Sequence, residues 1–311
     1  MNKLPKIALG AWAWGNDGTF GNALGEKELK PVFEKAMEEG LNLWDTAYAY
    51  GMGTSEKLLS GFVKDLDREN YLISDKFTPQ CADESSDTAM QDMIEMQLKL
   101  MDLDRFDIYW IHNVWNAPKW TEELAKYFEG NENVPLLGVS NHNLAEIKQA
   151  DEILKSHGLR LSAVQNHYSL INRSSEESGI LDYCKDNDIN FFSSMVLEQG
   201  ALSGKYDKAH PMPEGSARAK TYNPLLDKLE VLNAELKRLA DEYGVGVAQI
   251  PVAWAIGKNT LPIIGVTKVS HVEDAVKACN VDLSKEDMDG LEKIADSLEI
   301  NAIRFWEKEM K

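Results

Sequence analysis

Cysteine is scarce: three in 311 residues, at Cys81, Cys184 and Cys279, odd in number and far apart. They form no Cys-x-x-Cys pair and no zinc-ligand spacing, so neither a disulfide framework nor a metal site is expected. A reducing, cytoplasmic setting fits such a chain. Basic residues are also few, 33 Lys and Arg against 51 Asp and Glu, a net charge of −18. That balance argues against nucleic acid or an anionic membrane as the main partner, because both repel an acidic surface. It says little about a small ligand, since a basic pocket can sit inside an acidic whole. No apolar run approaches the roughly 18 residues of a membrane span. The first residues run into Ile7-Ala8-Leu9-Gly10 without a long apolar core, so no signal peptide is expected. Also missing is the glycine fingerprint of an open dinucleotide-binding sheet: Gly10-Ala11-Trp12-Ala13-Trp14-Gly15 does not match Gly-x-Gly-x-x-Gly.

What is present is alternation. Short apolar runs near 7–11, 41–45, 71–75, 106–111, 135–139, 162–165, 189–194 and 261–265 read as strands. Between them, amphipathic stretches near 26–39, 55–64, 86–101, 121–128, 143–157, 176–187, 225–257 and 271–278 read as helices. Eight strands alternating with eight helical regions predict an α/β fold with a parallel sheet closed as a (β/α)₈ barrel. Residues 197–224, rich in Gly, Pro, Lys and Ser, predict a long binding loop or lid after strand 7. Residues 283–299 predict an extra C-terminal helix, followed by an aromatic tail with Phe305 and Trp306. No linker or low-complexity tract divides the chain, so residues 1–311 read as one domain.

Several predicted strands end on a polar residue. Asp45, Lys76, His112, Asn141 and Gln165 are separated by 31, 36, 29 and 24 residues. One βα unit takes about 30 residues, so this spacing puts them on successive strands and around one rim. Tyr50 follows Asp45 within Asp45-Thr46-Ala47-Tyr48-Ala49-Tyr50-Gly51. A phenol titrates near pH 10, too high to trade protons easily at neutrality. An ammonium beside it favours the phenolate, a carboxylate holds that ammonium in place, and an imidazole can bond the same oxygen. The four together predict a tuned general acid that protonates a carbonyl oxygen as negative charge develops there. Such chemistry needs an electron source, and a bound hydride donor would supply it.

These residues, together with Ser55-Glu56, Gly138-Val139-Ser140-Asn141 and Gln199-Gly200-Ala201-Leu202-Ser203-Gly204-Lys205-Tyr206, resemble the aldo-keto reductases from about residue 7 to 280. The resemblance implies a (β/α)₈ barrel that binds NADP(H) without a Gly-x-Gly-x-x-Gly motif and reduces an aldehyde or ketone. It implies that Tyr50 is the general acid, Lys76 tunes it, Asp45 pairs with Lys76, and His112 orients the substrate carbonyl. Ser140, Asn141 and Gln165 would hold the nicotinamide carboxamide. Gly200, Leu202, Lys205 and Arg218 would wrap the pyrophosphate. Thr267, Lys268 and His271 would meet the adenosine 2′-phosphate, with Lys268 favouring NADPH over NADH. Where relatives place an aromatic ring over the nicotinamide, this chain has Ser194.

Trp12 and Trp115 are the candidate walls of the substrate pocket, and Phe305 and Trp306 could close it from the tail. The alternative function is that of the potassium-channel β-subunit branch, a redox-sensing, cofactor-binding module acting on a protein partner. The four intact residues favour an enzyme. A barrel hydrolase would need two strand-end acids at the mouth; Glu198 follows strand 7, but Asp45 is already paired with Lys76.

Overall fold

A parallel strand covered on both faces favours apolar side chains, and here most of the polar residues gather toward the C-terminal ends of the runs. In the structure, a computed structural model that describes residues 4–21, 23–301, 303, 304, 307, 308 and 310, all eight runs form strands. They are β1 Ala8–Gly10, β2 Leu43–Asp45, β3 Leu72–Phe77, β4 Ile108–Ile111, β5 Leu136–Ser140, β6 Leu161–His167, β7 Asn190–Ser194 and β8 Leu261–Gly265. Each pairs in parallel with the next, and β8 returns to β1, closing the barrel.

Side chains on a strand point to alternate faces, and here that period sorts the molecule into two cores. Ala8, Leu43, Leu72, Ile108, Trp110, Ala163 and Phe192 form one cluster, which fills the barrel interior. Leu9, Trp44, Ile73, Tyr109, Val139 and Val164 belong to the larger cluster beneath the helices. Trp110 and Phe192 meet edge to face, with centroids 5.1 Å apart. Burying Phe192 completely contributes roughly 2–3 kcal/mol. Gly138 makes room for Trp110, since a Cβ there would come within 2.3 Å of its ring.

The helices are α1 Glu26–Glu38, α2 Thr54–Val63, α3 Ala89–Met101, α4 Ala117–Phe128, α5 Leu144–Ser156, α6 Ser174–Glu177, α7 Ile180–Asp186, α8 Ala217–Tyr222, α9 Leu226–Tyr243, α10 Gln249–Gly257, α11 Val269–Ala278 and α12 Lys285–Ser297. The capping box of α5 shows why it starts where it does. Asn143 accepts from the Glu146 backbone at 3.0 Å while Glu146 accepts from the Asn143 backbone at 2.8 Å.

Three expectations change. The stretch expected as one helix near 176–187 belongs to two, α6 and α7, parted at Gly179, which takes φ 78°. The single helix expected over 225–257 is two, because Gly244 takes φ 67° and ends α9 in the left-handed region. The loop expected over 197–224 carries a 3₁₀ turn at Glu198–Gly200 and the short α8, whose start is capped by the Ser216 side chain accepting from the Ala219 backbone. The extra C-terminal helix is α12. Phe305 and Trp306 lie outside the described residues.

One close approach sets the position of Tyr50. Gly51 has φ 69°, and a Cβ on it would fall 2.0 Å from the Gly15 carbonyl oxygen. Backbone meets backbone here, so neither side can yield cheaply. Gly51→Ala is therefore expected to destabilise the fold by about 2 kcal/mol through left-handed strain and the clash together. Chemical denaturation would measure it, and an unchanged midpoint would contradict it.

Candidate active site

Counting by twos from the interior residues reaches the barrel mouth. Leu43 leads to Asp45, Leu72 to Ser74 and Lys76, Trp110 to His112, Leu136 to Ser140, Ala163 to Gln165 and Phe192 to Ser194. All of these except Ser74 and the fully buried Lys76 line one cleft of about 830 Å³ at the C-terminal ends of the strands. Trp12, Tyr50, Asn141, Gly200, Lys205, Arg218, Thr267, Lys268 and His271 line it too.

The Lys76 ammonium sits beneath the cleft and donates to three oxygens. These are Asp45 Oδ2 at 2.6 Å, the Thr46 carbonyl at 2.7 Å and Tyr50 Oη at 3.2 Å. Burial alone would lower its pKa, but the Asp45 carboxylate and the Tyr50 oxygen outweigh burial and hold it above the ordinary value. Asp45 Oδ1 accepts from Ser74 at 2.7 Å and from Gln165 at 3.3 Å. Ser74 in turn accepts from the Trp110 indole at 2.7 Å. The interior tryptophan thus orients the serine that orients the carboxylate.

Tyr50 differs from the expectation of a phenol pulled down toward neutrality. Removal from water pushes it above its ordinary value, and Lys76 offsets that only in part. The phenol is protonated throughout the neutral range. His112 goes the other way: burial and then the Lys76 charge lower it to about 3. Its Nδ1 lies 2.7 Å from the Thr78 hydroxyl, and Thr78 lines the cleft with it. Trp12 stacks on the Tyr50 ring, centroids 5.7 Å apart, and meets Phe20 edge to face at 5.5 Å.

On the other side of the mouth, Asn141 takes φ 61° and donates to the His112 carbonyl at 3.1 Å. Arg218 donates to the Gln199 carbonyl at 2.9 Å and to the Tyr206 hydroxyl at 3.1 Å, so α8 is drawn across the cleft. Lys268 precedes the first residue of α11, where free backbone N–H groups favour an anion. His271 is lowered by burial and by Lys268, and its Nδ1 accepts from the Thr267 backbone at 3.2 Å.

Two predicted residues are not brought to this site. Leu202 is fully buried in the core beneath the helices and does not line the cleft. Trp115 is 58% exposed, outside the cleft, with its indole donating to Glu84. Ser74, Thr78 and Phe20 join the site without being among the predicted residues, and Gln199, which opens the Gln199–Tyr206 motif, lines the cleft as well. For Ser74 a signal existed, since it stands two residues before Lys76 on the same face of β3. On the opposite face, Asp75 and Glu56 share Gln97, which donates 3.1 Å to each. Burial holds both carboxyls above the usual range.

The sequence model of the Aldo/keto reductase family matches residues 6–296. The chain is 29% identical over 308 residues to the chloroplastic pyridoxal reductase of Arabidopsis thaliana, spanning 93% of this chain and 82% of that protein. It is 27% identical over 310 residues to aldo-keto reductase YhdN of Bacillus subtilis, spanning 94% and 90%. Among solved structures, the glycerol dehydrogenase AKR11B4 of Gluconobacter oxydans superposes with a TM-score of 0.81 at 22% identity, over 98% of this chain and 95% of that one, a likeness of fold. Together with the closed eight-stranded barrel, the match across nearly the whole length establishes that the chain belongs to the aldo-keto reductase family, oxidoreductases that reduce carbonyl compounds with a nicotinamide cofactor.

Proposed function

We propose that this protein reduces an aldehyde or ketone with NADPH and that Tyr50 is the proton donor. The observation that carries the reading is Lys76, fully buried beneath the cleft, bridging Asp45 at 2.6 Å and Tyr50 at 3.2 Å.

The residues present fit a dinucleotide. Within an acidic protein, Lys205, Arg218 and Lys268 gather on one cleft. Gln199 Nε2 and Arg218 Nε are buried without a hydrogen-bond partner, two donors that a phosphate would satisfy. Ser140, Asn141 and Gln165 would hold the carboxamide, and Lys205 and Arg218 the pyrophosphate. A reduced nicotinamide bound there would supply the hydride. Ser194 lines the cleft where the resemblance implies an aromatic ring over the nicotinamide, and a serine cannot stack on it.

The chain's own groups would then act on the carbonyl oxygen. Tyr50 Oη gives up its proton as negative charge grows on that oxygen, while Lys76 steadies the phenolate left behind. His112, neutral above about pH 3 and held at Nδ1 by Thr78, offers its other ring nitrogen to the same oxygen. Trp12 and Phe20 make an apolar wall suited to a planar carbonyl compound, the class to which the pyridoxal of the Arabidopsis relative's name belongs. The three free cysteines suit a reducing cytoplasm.

The test is oxidation of NADPH, followed by absorbance, across a panel of aldehydes, ketones and sugars. Turnover of at least one aldehyde or ketone is expected. Tight NADPH binding with no turnover of any would favour a redox-sensing binding module instead. For the cofactor preference, Lys268→Ala should weaken NADPH about tenfold more than NADH, since a charge-assisted contact contributes roughly 1.5–3 kcal/mol. Equal weakening would remove Lys268 from the 2′-phosphate.

A further inference from the structure

The reaction has no use for Glu198, although it stands in the turn after β7 beside the cleft and is fully buried. Its carboxylate is surrounded by donors: His167 Nε2 at 2.6 Å, Arg304 Nη2 at 2.8 Å and the hydroxyls of Ser169 and Tyr222. His167 Nδ1 lies 2.9 Å from Glu307. Arg304 and Glu307 come from the C-terminal tail, which is tied down again by Lys308 to Glu146 at 2.6 Å and by the buried Met310. The end of β6, the turn after β7, α8 and the tail therefore meet at one buried point.

The charges balance, two positive against two negative. Burial alone would lower His167, but Glu198 and Glu307 outweigh it and raise the imidazole to about 9. Burial would likewise raise the two carboxyls, yet His167 and Arg304 hold both below the ordinary range. At neutral pH the whole cluster is ionised, and removing one member strands a buried opposite charge.

What the cluster holds is strained. Met195, Glu198 and Glu198's neighbour Gln199 take φ of 64°, 48° and 53°, all in the left-handed region. Such a conformation is strained for a residue with a side chain and persists only where its surroundings over-determine it. Met195, Val196, Leu197, Gln199 and Gly200 line the cleft. Glu198 is the member of this run that turns away from the cleft, into the cluster.

We propose that Glu198, His167 and Arg304 form a clamp through which docking of the C-terminal tail fixes the strained 195–200 turn and so sets the affinity for the dinucleotide. The three are positioning residues, and the inference rests on the reading that this wall binds NADP(H). A pH signature follows. The contribution of His167 is complete below its unfolded value of 6.5 and is lost as pH rises through about 9. The contributions of Glu198 and Glu307 are complete above 4.5 and are lost as pH falls through their lowered values. The clamp is tightest between those limits and slackens in alkali.

Arg304→Met keeps most of the side chain's bulk and removes its charge. It should raise the NADPH dissociation constant about tenfold, near 1.4 kcal/mol, with kcat at saturating cofactor within about twofold. Arg304→Lys should recover most of the affinity. In the cofactor-free protein, Arg304→Met and the milder Tyr222→Phe should both speed amide exchange across 195–202. Wild-type affinity should fall between pH 8 and 10 through the His167 value of about 9, and Arg304→Met should flatten that profile. If exchange and affinity are unchanged in Arg304→Met, the clamp is wrong. If exchange quickens but the wild-type protein does not bind NADPH, the cofactor reading is wrong and the clamp secures some other wall.

Discussion

Tyr50→Phe is expected to lower kcat for carbonyl reduction by about a thousandfold, the usual contribution of a positioned general acid. The variant keeps the ring that stacks 5.7 Å from Trp12 and loses only the hydroxyl that Lys76 meets at 3.2 Å. Cofactor affinity should therefore hold, and a titration of NADPH binding beside the steady-state assay would separate the two effects. Unchanged turnover would sink the mechanism. The pH profile carries a second check. Burial raises the Tyr50 phenol, so kcat at saturating cofactor should persist past pH 10 before the acid is lost. His112 is neutral down to about 3, so no limb should appear near pH 6.5. A limb there would place an essential proton on the imidazole and contradict this assignment.

Lys76→Met should cost both activity and stability. The ammonium is fully buried and donates to Asp45, Thr46 and Tyr50. Without it, Asp45, only 3% exposed, keeps its bonds to Ser74 and Gln165 but loses its counter-charge. Breaking a buried pair from one side costs about 3–5 kcal/mol. Urea denaturation at pH 7 would show it as a lowered midpoint at constant slope. Lys76 has its pKa raised above 10.5, so its contribution is complete below that value and is lost only as pH climbs through the raised one. The gap between wild type and variant should accordingly stay level through neutrality. Adding Asp45→Asn to Lys76→Met should restore part of the loss, because the stranded charge is gone. If the double variant is no better than the single one, the penalty comes from lost packing instead.

Much of this site was legible because a barrel converts one-dimensional spacing into a rim. Asp45, Lys76, His112, Asn141 and Gln165 could be set side by side from intervals near one βα unit. Period-two alternation would also have reached Ser74. The errors have identifiable causes. Trp115 lies in a stretch expected to line the pocket, but its indole finds Glu84 on the outside. Leu202 follows Gly200 in the motif, yet the 3₁₀ turn at Glu198–Gly200 rotates it into the core. The Tyr50 phenol was expected to fall toward neutrality from the proximity of an ammonium, whereas burial, which no spacing reports, dominates.

By itself the sequence determined the eight strands, their parallel closure and the gathering of Asp45, Tyr50, Lys76 and His112 at the mouth, because these follow from apolar runs and repeat length; which face of each strand points inward came from the structure. Only the tertiary structure decided how protons and backbone are held there. Trp110 reaches Ser74 across 36 positions, Glu307 reaches His167 across 140, and Trp14 bonds Val266 across 252. Those contacts form only once the barrel has closed, and burial and charge pairing then set the pKa values and the left-handed turn after β7. Strand spacing identified the candidate groups, and burial in three dimensions raised Tyr50 and lowered His112, while charge pairing held Lys76 above its ordinary value.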